Sequence, residues 1–330
     1  MNKYTVLPLL NSSFEPGKAQ ETVEQFEDKD FRNIAMAELY YFTGRAKECC
    51  EITELYLENE KMELRLSACM LYCYANLTLG RSVASKRGLQ GIQECISKAM
   101  KKEISEELQA SCVLAGYVGA VLLHLPAEGI PPLWEYSGIL SEGLRLFAVA
   151  HQAYLNGEYW SAYGMCKAAL FMTRETYPIS MVYLRCMMST CRINRRYKKE
   201  AQIDLMEGWK MAEKDDFAEP FIEHHGLLQG LIEVCIRKND PDAYKRITDG
   251  VLSFSRGWMA VHNPETKNKV TDELTVMEFS IAMQASGGWT NKEIAAHMGI
   301  SVNTVKHHLT DIFCKLDIKK REELKQYMLN

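Results

Sequence analysis

The side chains best suited to chemistry lie near the C-terminus, where the apolar spacing predicts a helix from Val302 to Leu316. One face of this helix carries amide, ammonium, imidazole, hydroxyl and thiol groups and no carboxylate: Asn303, Lys306, His307, Thr310 and Cys314. Such groups suit contacts with phosphates and with base edges. Between Ser301 and Arg321 there are five Lys or Arg against two Asp, so the positive charge is concentrated where such contacts would form.

The opposite face of this helix is apolar, and three predicted helices together hold the polar face in position. The apolar residues recur at spacings of four, three and four, which predicts a buried stripe: Val305, Leu309, Ile312 and Leu316. Two earlier helices each begin with a capping box, a threonine three residues before a glutamate. The predicted segments are Thr275–Ala285, stopped by Gly287 and Gly288, and Asn291–Met298, ended by Gly299 before the N-cap Ser301.

A short helix, a turn containing glycine and a longer helix form a helix-turn-helix, whose second helix enters the DNA major groove. Residues 274–324 resemble the LuxR-type (GerE-like) helix-turn-helix of bacterial transcription regulators. The pattern aligns without a gap at Leu274–Thr275, Glu278, Gly288, Asn291–Ala295, Ile300–Ser301, Thr304–Lys306, His308, Ile312, Lys315–Leu316 and Arg321. This resemblance covers about one sixth of the chain and implies binding to double-stranded DNA as a homodimer.

The resemblance also implies roles for individual residues. Lys306 matches a family lysine that reaches bases or phosphates, and His307 and Thr310 match outward positions that read sequence. Thr304 and His308 match positions near the phosphate backbone. The full set expected to bind DNA is Asn303, Thr304, Lys306, His307, His308, Thr310, Lys315 and Arg321. The family's fourth helix, here about Arg321–Met328, commonly forms the dimer contact.

Two positions depart from the family pattern. Met277 stands where the family usually has arginine, which puts in doubt the salt bridge or backbone contact made there. Asp317 replaces a glycine after the third helix. Because aspartate tolerates left-handed backbone geometry better than most residues, we expect the turn to survive.

The larger part of the chain, from about Asp30 to Ser255, has apolar residues at helical spacing and contains a repeat of 36 to 39 residues. Predicted turns between paired helices fall at Gly44, Gly80, Gly157, Arg192–Tyr197 and Lys238–Pro241, with Gly119 near a missing midpoint. The region resembles the tetratricopeptide repeat family, best at Ala150–Ala169. The predicted fold is all-α, an α-solenoid followed by a small four-helix DNA-binding domain. An irregular helical bundle is the alternative.

The predicted domains are a helical-repeat sensor or partner-binding domain at 1–257, a polar linker at 258–273 and the DNA-binding domain at 274–330. Solenoid surfaces most often bind peptides or protein segments, so a protein or peptide partner is the favoured input. A small hydrophobic ligand between helices is the second choice.

Composition and motifs exclude several other classes. The net charge of −4 excludes a protein that coats nucleic acid along its whole surface. The eleven scattered cysteines and the absence of a secretory signal favour a reducing cytoplasm and buried thiols. No catalytic, phosphate-binding or metal-binding motif is recognisable, so no enzyme, cofactor or metal is expected. Solvated or capping roles are expected for Glu223, His224 and His225.

These observations predict a cytoplasmic bacterial transcription regulator that binds operator DNA as a dimer and receives a signal at its helical domain. Two alternatives stay open. The chain could be an interaction scaffold whose C-terminal unit does not bind DNA. It could also be anchored in a membrane through Leu108–Ala127, which contains no Asp, Glu, Lys or Arg, although a buried helix without a membrane partner is favoured.

Overall fold

The computed structural model describes all residues except 1–5, 102–103, 124–130, 137, 140–141, 263–273 and 328–330. In this part of the chain, the regular elements are helices, and no strand occurs. The first thirteen α-helices are α1 (Ala19–Glu24), α2 (Lys29–Phe42), α3 (Ala46–Thr53), α4 (Met62–Thr78), α5 (Ser82–Ala99), α6 (Glu106–Leu123), α7 (Glu142–Leu155), α8 (Tyr159–Met172), α9 (Pro178–Asn194), α10 (Lys198–Ala212), α11 (Glu219–His224), α12 (Leu231–Cys235) and α13 (Pro241–His262). The C-terminal unit contains α14 (Val276–Ser286), α15 (Asn291–Met298) and α16 (Val302–Lys315).

Tight turns join consecutive helices into antiparallel pairs, as the sequence predicts. Gly44, Gly80 and Gly157 connect α2 to α3, α4 to α5 and α7 to α8, and all three have φ between 68° and 80°. Arg196 takes the same left-handed geometry between α9 and α10, with φ of 67°. The predicted midpoint turn at Gly119 is wrong, because this residue lies inside α6.

Small residues allow close packing within a pair. A Cβ atom on Gly88 of α5 would lie 2.8 Å from the backbone nitrogen of Cys73 on α4. Only glycine therefore fits at this crossing without displacement of the α4 backbone. Alanine also allows close packing between α9 and α10, where Ala201 is completely buried.

The helical pairs do not form an open stack. In an open solenoid each repeat contacts only its sequence neighbours. Here α13 packs against α4 and α5, and α11 packs against α2 as well as α9, so the last helices of the region return to the first. The predicted helix pairs are thus present, whereas the contacts between distant helices give the region a shared core.

The C-terminal unit begins as predicted. The side chains of Thr275 and Thr290 accept hydrogen bonds from the backbone of Glu278 and Glu293, and both capping boxes are complete. Gly299 ends α15 with φ of 67°, and Asp317 adopts left-handed geometry with φ of 50°, so the turn survives without glycine.

Other boundaries differ from expectation. The predicted fourth helix is a 3-10 helix, Arg321–Gln326, rather than an α-helix, and Met328 lies outside the described residues. Helix α13 continues to His262, five residues into the predicted linker, while residues 263–273 lie outside the described part of the chain.

Among the described helices, none is both long enough and apolar enough to span a membrane. Ten cysteines are buried, as predicted, and burial raises the pKa of Cys73 to about 11. Cys314 on α16 is the exception, since it is exposed.

Candidate nucleic-acid interface

Helix α16 is anchored at its start and along one face. The Ser301 hydroxyl accepts a hydrogen bond from the Thr304 backbone N–H at 3.0 Å, which caps the helix. Val305, Leu309 and Ile312 are buried beneath it, as the predicted stripe requires. This anchoring fixes which side chains face outward.

The outward face of α16 contains most of the predicted DNA-binding residues. Asn303, Lys306, His307 and Thr310 are exposed, and Thr304 and His308 are half-buried at its edge. The Thr310 hydroxyl donates to the Lys306 carbonyl at 3.0 Å. Asp311 is also exposed on α16, beside the predicted face, and the five residues of that face include no carboxylate.

Lys315 does not project freely from the domain. Its ammonium donates to both carboxylate oxygens of Glu278 on α14, at 2.7 and 2.6 Å. Burial alone raises the pKa of Glu278, but hydrogen bonds from Lys315 and Thr275 bring it below its ordinary value. The structure therefore uses Lys315 to join the end of α16 to the start of α14.

Arg321 is likewise used inside the domain. Its guanidinium donates to Asn291 Oδ1 at 2.7 Å, to the Ala285 carbonyl at 3.3 Å and to the Trp289 carbonyl. Partial burial lowers the pKa of Arg321. The structure thus brings six of the eight predicted residues to one surface and places Lys315 and Arg321 in contacts between helices.

The rest of the helix-turn-helix unit packs against the N-terminal region. The indole N–H of Trp289 donates to Gln229 Oε1 at 2.9 Å, and the Gln229 amide donates to Asn194 Oδ1 at 3.0 Å. His297 Nε2 lies 3.0 Å from the Gln229 carbonyl. Burial lowers the pKa of His297 to about 4, so its imidazole is neutral and donates this bond.

Two basic residues close over the indole at the edge of this contact. The Arg196 guanidinium lies 4.0 Å from the Trp289 ring centroid, and the Lys198 ammonium lies 4.7 Å away. Arg196 also donates to the Gly287 carbonyl at 3.1 Å, and Lys198 to the Glu293 carbonyl at 3.3 Å. The turn between α9 and α10 and the start of α10 therefore contact the turn between α14 and α15 and the start of α15.

Three buried polar side chains also connect α14 to the N-terminal region: Ser280, Glu233 and His225. Ser280 donates to Glu233 Oε1 at 2.8 Å, and His225 Nε2 lies 2.8 Å from the same oxygen. The His225 ring stacks on Phe279 with centroids 6.5 Å apart. His224 and His225 are both buried, so the prediction of solvated roles is wrong for them, whereas His225 does occupy the C-cap position of α11. Both were misassigned because the contact that covers them comes from elements distant in the sequence.

The close fit depends on a glycine in the N-terminal region. A Cβ atom on Gly230 would lie 2.9 Å from Gln284 Nε2, and its φ of 84° disfavours other residues. The residues of the C-terminal unit that contact the N-terminal region, among them Ser280, Trp289 and His297, form what we call the docked face. Sequence reasoning missed this face, since nothing near Gln229 or Gly230 resembles a binding motif.

Comparison with known proteins agrees with the geometry of the C-terminal unit. Residues 272–328 match the sequence profile of the bacterial regulatory proteins of the luxR family. The C-terminal unit is a LuxR-type helix-turn-helix domain. The profile covers this unit, and the region before residue 272 is not part of the match.

Several regulators are similar to parts of the chain. The probable transcriptional regulatory protein SgaR of Hyphomicrobium methylovorum is 33% identical over 84 residues, which cover 23% of this chain and 37% of SgaR. The transcriptional regulatory protein LiaR of Bacillus subtilis is 35% identical over 91 residues, 27% of this chain and 40% of LiaR. The HTH-type transcriptional regulator MalT of Klebsiella pneumoniae is 23% identical over 146 residues, 39% of this chain and 16% of MalT. The chain thus spans less than half the length of each of these relatives. No solved structure matches it significantly.

Proposed function

We propose that the protein is a DNA-binding transcription regulator that inserts α16 into the major groove. The observation that carries this proposal is the exposed face of α16, which stays uncovered although the domain is packed against the N-terminal region. Similarity to three transcription regulators supports the assignment to this class.

The proposed contacts divide by chemistry. Asn303, His307 and Thr310 present hydrogen-bonding groups for base edges, and Lys306 adds a positive charge that reaches a base or a phosphate. Thr304 and His308 lie at the edge, where the phosphate backbone would pass. Lys315 supports this face through α14, and Arg321 does so through α14 and α15, rather than touching DNA directly.

We further propose that the protein acts as a homodimer and that the N-terminal region receives the signal. A symmetric dimer would recognise an inverted repeat with half-sites about one helical turn apart, about 10 base pairs. The 3-10 helix Arg321–Gln326 is the candidate dimer contact, because it lies on the C-terminal unit beside α14.

Recovery of genomic DNA fragments bound to the purified chain tests the proposal. The wild type should enrich a motif with two-fold symmetry, and Lys306→Ala should weaken binding by about 1–3 kcal/mol if Lys306 contacts a base. Lys238→Ala is the matched control, because Lys238 is also exposed but lies in the N-terminal region.

A salt titration of the same complexes separates this proposal from the scaffold alternative. Contacts with phosphates release counterions, so affinity should fall steeply as salt rises. If Lys306→Ala and Lys238→Ala bind DNA equally well, the assignment of Lys306 is wrong. If the folded protein enriches no motif and shows no salt dependence, the scaffold function is correct instead.

A further inference from the structure

A cavity that is partly open to the surface lies in the N-terminal region, away from the docked face. Its volume is about 120 Å³, and it lies between the segment that precedes α1 and the helices α2, α4, α6, α7 and α9. Engineered apolar cavities of similar size, about 150 Å³, take up a benzene ring. The cavity is therefore large enough for one small ring or a short branched chain.

Aromatic side chains form part of the wall of the cavity, beside a larger number of aliphatic ones. Five rings contribute to it: Tyr41, Phe42, Tyr74, Phe147 and Tyr183. Neighbouring planes are steeply inclined, by 68° between Tyr41 and Phe42 and by 65° between Phe147 and Tyr183. The five rings border the cavity on helices α2, α4, α7 and α9. Aromatic faces carry negative electrostatic potential, which attracts cations.

A single carboxylate completes the wall. Glu223 lines the cavity, and its two oxygens accept hydrogen bonds from the hydroxyls of Tyr41 and Tyr183, the latter at 2.7 Å. Burial raises the pKa of Glu223 to about 7, although both tyrosine bonds act in the opposite direction. No Lys, Arg or His belongs to the described lining residues, so no cation of the protein balances this carboxylate within the cavity.

The wall contains another polar group, and this group lacks a hydrogen-bond partner among the described residues. The Tyr74 hydroxyl is buried and makes no hydrogen bond to any described residue. Buried polar atoms without partners are unusual in native proteins, since each costs about 1–3 kcal/mol, and they call for an explanation. A ligand with a polar group in the cavity would supply the missing partner.

We propose that this cavity is a binding site for a small organic amine, with an apolar body among the aromatic rings and an ammonium group beside Glu223. The aromatic walls, the uncompensated carboxylate and the free Tyr74 hydroxyl select this class over a carboxylic acid or a plain hydrocarbon. Use of the amine as the regulatory signal rests on the proposed function, but binding itself does not.

Calorimetric titration of the purified chain with benzylamine, toluene and benzoate tests this site. Benzylamine should bind about tenfold or more tightly than toluene, since a desolvated ammonium gains both the carboxylate and the rings. With the titration carried out above the pKa of Glu223, benzoate should not bind, because its charge repels the Glu223 carboxylate. The measurement contains no DNA, so it can fail or succeed independently of the proposed function.

Three variants localise the effect. Glu223→Gln should bind benzylamine no more tightly than toluene, because the carboxylate no longer offsets the desolvation of the ammonium. Glu219→Gln, one helical turn earlier and outside the lining, should keep the preference. Ala115→Leu should fill part of the cavity and weaken both ligands. Far-UV circular dichroism confirms that each variant is folded.

The outcomes are decisive in either direction. The proposal is overturned if benzylamine at about 10 mM does not bind the wild type. It is also overturned if toluene binds as tightly as benzylamine, or if Ala115→Leu leaves benzylamine binding unchanged. If Glu223→Gln does not fold, the ligand series on the wild type and the Ala115→Leu result still decide the matter.

Discussion

The docked face and the exposed face belong to the same small domain, yet they differ in almost every physical respect. On the docked face, Trp289 and His297 are buried, and their ring N–H groups have partners on Gln229. On the exposed face, Asn303, Lys306 and His307 extend into solvent. The docked face contributes to stability through hydrogen bonds that are already formed within the protein. The exposed face keeps its hydrogen-bond donors available for another molecule.

The difference shows how one domain can be held in place and remain available. The elements that dock are α14, α15 and the turn between them, and the buried side of α16 packs within the domain itself. Docking therefore orients α16 without covering the surface proposed to contact DNA.

The strongest way to break the docked face is Trp289→Ala. Removing a buried indole costs about 3–5 kcal/mol, and the side-chain oxygen Oε1 of Gln229 also loses its donor. Urea unfolding and hydrogen exchange of α14 and α15 measure the loss. Trp134→Ala is the control, because Trp134 is 69% exposed and should change stability by no more than about 0.5 kcal/mol. Equal losses in the two variants would contradict a docked Trp289.

The second largest effect expected is a loss of stability at acidic pH, when His297 on the docked face takes up a proton. The pKa of His297 is about 4 in the folded protein, below the ordinary value of 6.5, because burial disfavours the charged imidazole. The contribution of neutral His297 to the free energy of unfolding is therefore fully present above about pH 6.5 and is lost as pH falls toward 4. Between pH 8 and pH 4, the free energy of unfolding should fall by about 3 kcal/mol.

Urea midpoints measured across this pH range test the titration of His297. His297→Gln keeps a donor but cannot take up a proton, so the fall in stability should become shallower. Part of the slope should remain, since burial also lowers the pKa of His224 to about 4. A slope unchanged by His297→Gln would show that His297 is not neutral in the fold.

Lys315→Ala and Lys306→Ala sharpen the distinction between supporting and contacting residues. Lys315→Ala leaves the buried Glu278 carboxylate without its cation and should cost about 2 kcal/mol of stability. Lys306→Ala should leave stability unchanged and weaken DNA binding. Urea unfolding measures the stability of each variant, and fluorescence anisotropy of labelled DNA measures its DNA affinity. If Lys315→Ala loses DNA affinity but no stability, Lys315 is a DNA contact after all.

The smallest expected effect is at the edge of the docked face. Arg196→Ala removes a guanidinium 4.0 Å from the Trp289 ring and should cost about 0.5–1 kcal/mol, because the site is exposed. The neighbouring Arg195→Ala serves as comparison and should change the urea midpoint less. If the two substitutions have the same effect, the contact with the indole contributes no measurable stability.

Local signals in the sequence were sufficient for much of the C-terminal unit. The capping boxes at Thr275 and Thr290, the turn at Gly299 and the buried stripe of α16 depend on residues within one or two helical turns of each other. The paired helices around Gly44, Gly80 and Gly157 follow from the same kind of local rule. The misplaced turn at Gly119 shows the limit, because helix α6 tolerates a glycine in its interior.

By itself, the sequence determined the helical class, the helix-turn-helix and the polar face of α16, because periodicity and capping are properties of neighbouring residues. Tertiary structure alone decided that Lys315 and Arg321 support the domain, that Gln229 meets Trp289 and that Glu223 faces a cavity. These pairings join side chains that lie 30 to 60 positions apart or on different helices. Such contacts depend on how the helices pack, and hydropathy along the chain carries no record of which partners meet.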